Sequence, residues 1–132
     1  MNNYILKIWY NESNKFQKWW FQGKNNNKSI QIIKNAIINI ESKYPIHNID
    51  YWKKNSINCL EGILLFDQFY RHIQQNTSNH EKNATELVFY GIQKNWIPKE
   101  IHYLVFFLMP LRHINDKTCH DYCIMQIKKK SI

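Results

Sequence analysis

Between Ser56 and Tyr70 the chain places Cys59, Leu60, Ile63, Leu64, Leu65, Phe66, Phe69 and Tyr70 at helical spacing on nearly every side, interrupted by Asp67 and then by Arg71. A helix that is apolar all round has no face to give to water, so other elements must surround it. This segment therefore reads as the central helix of a packed domain. The charges inside it demand a cause, because an ionised group in apolar surroundings is costly unless it is paired, hydrogen-bonded or used.

The rest of the chain supplies the surrounding helices. Tyr4, Ile5, Ile8 and Trp9 predict a short first helix, followed by Trp19, Trp20 and Phe21 and a polar, mobile loop over Gly23 to Lys28. Ser29 is placed to cap a helix whose Ile30, Ile33, Ile37 and Ile40 share a face until Pro45. Asp50 to Asn55 reads as a break carrying Trp52. After a turn at Asn76 to Asn79, Ser78 and Glu81 have capping-box spacing for a helix with Ala84, Leu87, Val88 and Gly91, the glycine permitting close helix contact. Pro98 suits a first helical position, with Ile101, Leu104, Val105 and Leu108 forming an apolar face that Pro110 ends. Asn115 or Asp116 caps a last helix through Cys119, Tyr122, Cys123 and Ile127, and the basic tail Lys128 to Ile132 begins where lysines complement the helix's negative pole. Strand-like alternation is scarce. The expectation is an all-α antiparallel helical bundle, one domain over residues 1–132.

Eighteen Lys and Arg against ten Asp and Glu leave a formal charge of +8. That balance would concentrate polyanions and could support nucleic-acid binding through counterion release. The abundance of Lys, Asn and Ile has a second source in AT-rich coding, as in giant viruses, parasites or endosymbionts, which makes basic proteins without a basic-seeking partner. Three cysteines, Cys59, Cys119 and Cys123, and no secretory leader fit a reducing, intracellular and cytoplasmic setting (the host's, if the chain is viral) rather than a disulfide framework. The longest apolar stretch, Tyr103 to Leu111, is far short of the roughly 20 residues that cross a bilayer, so no membrane partner is expected.

Two polar motifs concentrate the candidate chemistry, Asp67-Gln68-Phe69-Tyr70-Arg71-His72 and Met109-Pro110-Leu111-Arg112-His113. Asp67 and Arg71, four apart, share the helix face of Leu60 and Leu64 and point toward packed structure. As structure, they form a buried ion pair that fixes helix register, with Arg112 as a possible third member. As a site, Gln68, Arg71, Arg112 and His113 supply groups for a phosphate or carboxylate, and Asp67 or His113 acts as acid or base. His72 projects about 100° from Arg71 and reads as a surface residue. Cys119, His120, Cys123 and His113 match no common zinc pattern, and the thiols read as core residues, so neither a metal nor a cofactor is assigned. No glycine-rich phosphate loop, nucleophile elbow or His-Glu-x-x-His helix occurs. Trp19, Trp20 and Trp52 could stack nucleobases beside lysines, with core packing the favoured role.

The residues Ile5 to Tyr10, Trp20-Phe21, Trp52, Ile63 to Arg71 and Phe107 to His113, in that order, resemble domain-of-unknown-function family nine hundred twenty-four. The resemblance implies a tetratricopeptide-like, all-helical fold of packed helix hairpins. Members carry Asp-Gln-Phe-Pro-Arg on one helix and Pro-Leu-Glu-His-Ser-Glu after a later one. Asp67, Gln68, Phe69, Arg71, Pro110, Leu111 and His113 match, whereas Tyr70 stands for Pro, Arg112 for Glu, Ile114 for Ser and Asn115 for Glu. The typical member is longer and adds a basic segment of the form Arg-Phe-Pro-His-Arg-Asn; nothing like it follows Ile127. If that segment completes the family's site, this chain is a reduced version. The resemblance implies no established activity.

The leading functional expectation is a noncatalytic helical binding module whose basic groove takes an anionic small molecule, an acidic protein segment or RNA. The alternative is a small hydrolase or transferase acting on a phosphorylated or nucleotide-like substrate. In a third reading both motifs only lock helix packing.

Overall fold

The apolar central segment does form the helix around which the others gather. The computed structural model describes residues 3–11 and 15–130, and these contain six packed helices and no strand. We label them α1 (Tyr4–Tyr10), α2 (Asn27–Lys43), α3, α4 (Ser78–Gln93), α5 (Ile101–Arg112) and α6 (Lys117–Lys130). The central α3 joins three stretches end to end, α-helical Ser56–Ile63, π-helical Leu64–Phe69 and α-helical Tyr70–His72. α4 packs along α3, α5 along α4 and α3, and α6 along α5, while α1 lies on the π stretch and α2 reaches the end of α3. None of these helices is long and apolar enough to cross a membrane.

The core is continuous from Ile5, Trp9 and Tyr10 through every residue from Cys59 to Phe66 to Leu104, Phe107 and Leu111. Trp9 anchors its aromatic part, with ring centroids 5.7 Å from Phe69, 5.2 Å from Phe106 and 5.0 Å from Trp19. Trp20, whose Nε1 donates to the carbonyl of Trp9 at 2.8 Å, and Trp52 are buried, so packing accounts for both. Gly91 permits close approach, as its spacing predicts: a Cβ there would stand 2.8 Å from Phe107 Cζ. Cys59 and Cys123 are core thiols, and burial pushes Cys59 up to about 12.

At seven residues α1 is too short to persist alone. Its N-cap, Asn3, contributes no side-chain hydrogen bond. The missing acceptor comes from α3, where Glu61 Oε2 receives the backbone N–H of Ile5 at 2.9 Å and of Leu6 at 3.1 Å. Burial raises the Glu61 pKa, and the two N–H groups pull against that shift.

Several element ends differ from the sequence reading. Asn26, not Ser29, caps α2, its Oδ1 accepting the Ser29 N–H at 2.8 Å. The segment read as a loop from Gly23 to Lys28 contains a 3-10 turn, Gly23–Asn25, and the start of α2. The Asp50 to Asn55 break is partly another 3-10 helix, Ile49–Lys53. The capping box of α4 is Thr77 with His80, one residue before the Ser78 and Glu81 pair, because Thr77 is the residue with extended backbone geometry. Glu100 caps α5, leaving Pro98 outside it. Pro110 sits inside α5, which continues to Arg112; the hydrogen bond its missing N–H forfeits falls in the last turn, with little helix beyond it to displace. Asp116 caps α6 through the N–H of Cys119. Lys128 to Lys130 form the last turn of α6, and Ser131 and Ile132 of the expected tail lie outside the described residues.

Candidate functional site

Asp67 sits in the π stretch, a winding rare in helices and frequent at functional sites. Its side chain is 2% exposed, yet three polar neighbours converge on it. Gln68 Nε2 donates to Oδ2 at 2.6 Å, His113 Nδ1 from the end of α5 lies 3.0 Å from Oδ1, and Arg71 Nη2 stands 3.8 Å away. Arg71 is itself held by its Nε, which donates to the Asp67 carbonyl at 3.3 Å, and by Glu81 of α4 at 4.0 Å. Helices α3, α4 and α5 thus meet at one cluster.

His113 Nδ1 also lies 3.1 Å from Arg71 Nη2, and it cannot serve both neighbours. A proton on Nδ1 suits the carboxylate and opposes the guanidinium, while a bare Nδ1 does the reverse. The bond to Asp67 prevails, because leaving the buried carboxylate short of a donor costs more than leaving Arg71, which is partly exposed and also holds the Asp67 carbonyl and Glu81. Nδ1–H then donates to Asp67, which leaves Nε2 for other partners. Arg71 and His113 remain 37% and 31% exposed, so the cluster is a buried anion beneath two reachable nitrogenous groups.

The structure brings together Asp67, Gln68, Arg71 and His113, as the two motifs imply. Arg112 is exposed and makes no hydrogen bond or ion pair with this cluster. Being next to His113 on a helix, it points about 100° away from it.

His72 is corrected from surface to core: it is 7% exposed, its Nε2 is 2.8 Å from Ser29 Oγ, and burial lowers its pKa. The π stretch explains the error. Its i to i+5 bonding, as in Tyr70 N–H to the Leu65 carbonyl, adds one residue to a turn. Every later residue then falls back by one position on the wheel, and His72 takes the inward direction expected of Arg71. Glu61 was not among the expected residues, although a lone acid between Leu60 and Gly62 in the central helix carries the same signal as Asp67.

Fold and cluster together describe an all-helical protein with a buried, shared carboxylate at the meeting point of three helices. The chain belongs to the family described as bacterial protein of unknown function (DUF924), whose model matches residues 5–131. Neither a curated protein nor a solved structure matches it significantly.

Proposed function

We propose that the chain is a noncatalytic helical binding module that captures an anionic group, on a small molecule, an acidic protein segment or RNA, at the Asp67, Arg71 and His113 cluster. The observation that carries this reading is the 2% exposed Asp67 carboxylate beneath an arginine and a histidine that are each about a third exposed. Asp67 and Glu81 hold Arg71 from one side, and no described residue hydrogen-bonds its Nη1. That leaves Nη1 as a donor for an incoming carboxylate or phosphate. Tetratricopeptide-like hairpin packing and a reducing, cytoplasmic setting accompany this reading, the latter supported by the free thiols Cys59, Cys119 and Cys123.

The test is capture of pyrophosphate, a polyglutamate peptide and single-stranded RNA by the parent, Arg71→Ala and Arg112→Ala, each checked for helicity. The expected result is loss with Arg71→Ala and retention with Arg112→Ala. Equal capture by all three proteins would refute the site. For RNA, binding that does not weaken as salt rises would argue against phosphate contacts.

The 3.0 Å contact between Asp67 and His113 favours a second reading, in which Asp67 orients His113 as a general base and Arg71 holds a phosphorylated or nucleotide-like substrate. Hydrolysis of p-nitrophenyl phosphate that disappears in both Asp67→Asn and His113→Ala would select it over simple binding.

A further inference from the structure

A separate cleft of about 570 Å³ opens between α1 and the start of α2, within the size range of small-molecule sites. It is lined by Tyr4, Lys7 and Ile8, which share one face of α1, by Asn11 just past that helix, and from the other side by Trp19, Lys28, Ser29 and Ile32. Among the described residues two lysines and no carboxylate line it, in contrast to the Asp67 cluster, where two acids face Arg71. This cleft is a second basic surface, away from the two motifs.

The walls are built rather than incidental. Trp19 is braced edge-on by Trp9 at 5.0 Å and by His72 at 5.4 Å. Ser29 Oγ donates to the Asn26 carbonyl at 3.0 Å and so receives the Nε2–H of His72 at 2.8 Å, the neutral tautomer that burial favours. Tyr4 is fixed by Asn39, whose Nδ2 donates to its hydroxyl at 3.0 Å. Ile32 is 47% exposed, so apolar surface in the cleft faces water uncovered. An occupant must combine a flat apolar body with negative charge. Among the three tryptophans that could stack a base, only Trp19 is neither fully packed away nor distant from lysines.

We propose that this cleft binds a nucleoside phosphate, the base against Trp19 and Ile32, the phosphate between Lys7 and Lys28, and the Asn11 carboxamide reading the base edge. Stacking on an aromatic face supplies base affinity, and the paired ammonium groups supply preference for the phosphorylated form. A cleft of about 570 Å³ has room for a free nucleotide.

The test is a titration of the full chain with AMP, adenosine and inorganic phosphate, read by tryptophan fluorescence and by amide shifts in ¹H–¹⁵N spectra. AMP should saturate below about 1 mM, with adenosine and phosphate each weaker by at least about tenfold. The double variant Lys7→Met/Lys28→Met, at exposed positions that leave the core intact, should weaken AMP by about tenfold or more, and Ile32→Glu should do the same by repulsion. Shifts should centre on Lys7, Asn11 and Ser29. No saturation by about 5 mM, equal affinity for adenosine, or an unchanged double variant would overturn the proposal. So would shifts centred on Arg71 and His113, an outcome that would support the anion site of the motifs instead. Single-stranded RNA that binds more tightly than AMP and ignores the cleft variants would also overturn it.

Discussion

Replacing Glu61 separates two contributions that the structure combines in one carboxylate. Its Oε2 receives the N–H groups of Ile5 and Leu6, both buried, and α1 has no side-chain cap of its own. Glu61→Leu strands both donors away from water. An unsatisfied buried donor costs about 1–3 kcal/mol, and partial fraying of α1 relieves part of it, so the net loss should be about 2–4 kcal/mol. At this chain length that lowers the melting midpoint by roughly 6–20 °C. Glu61→Gln keeps a carbonyl acceptor of the same reach and should stay within about 1 kcal/mol of the parent. The pH dependence has a definite sign. Burial raises the folded pKa above the ordinary value of 4.5, so the stability tied to this group is full below that value and lost as pH rises through the folded pKa. The gap between parent and Glu61→Gln should therefore shift in favour of Gln between pH 4 and pH 7. Circular dichroism melts give the stabilities, and hydrogen exchange at the Ile5 and Leu6 amides reports the local contact. If Gln and Leu destabilise equally, or if the two amides stay protected in Glu61→Leu, the capping role is wrong.

Asp67→Asn removes the charge shared by His113 and Arg71; because both are about a third exposed, the cost should be about 1–2 kcal/mol, below that of breaking a fully buried pair. Unchanged melting would rule out a structural role for the cluster and leave its retention to binding. Gly91→Ala drives a methyl to within 2.9 Å of two Phe107 ring atoms and 3.2 Å of Cys59 Sγ, and overpacking of about 1–3 kcal/mol should outweigh the helix-propensity gain of about 1 kcal/mol, a balance chemical denaturation will measure. Burial lowers the pKa of His72, so its stabilising contribution is full above the ordinary value of 6.5 and lost as pH falls through the folded value; melting midpoints should drop on acidification from pH 7 to 5, less steeply in His72→Gln.

The all-helical class and the approximate positions of the six packed helices were legible because periodic apolar residues report burial directly, as Ile33, Ile37 and Ile40 do on α2. The meeting of Asp67, Arg71 and His113 was legible from charges placed where only partners make them tolerable. Caps were read less well, since residue type is shared by neighbours such as Thr77 and Ser78 while backbone geometry selects one of them. His72 and Arg112 were misplaced for related reasons. A wheel of constant pitch cannot anticipate a π turn, and adjacency in a motif does not bring side chains together on a helix. Glu61 escaped notice because its partners are backbone groups 55 and 56 residues away, which no local pattern encodes.

The π stretch in α3 also bears on the order in which the molecule is assembled. Helical segments of ordinary pitch can form transiently on their own, whereas a six-residue π turn lacks that intrinsic support and depends on what packs against it. Here those supports are α1, α4 and α5, elements drawn from both ends of the chain. Leu64 to Phe69 should adopt the final winding only after these distant pieces have docked, giving mutations there low φ-values and effects felt mainly in the unfolding rate. Asp67 and its neighbours would then be among the last groups to find each other, so that a competent cluster exists only in chains that have finished folding.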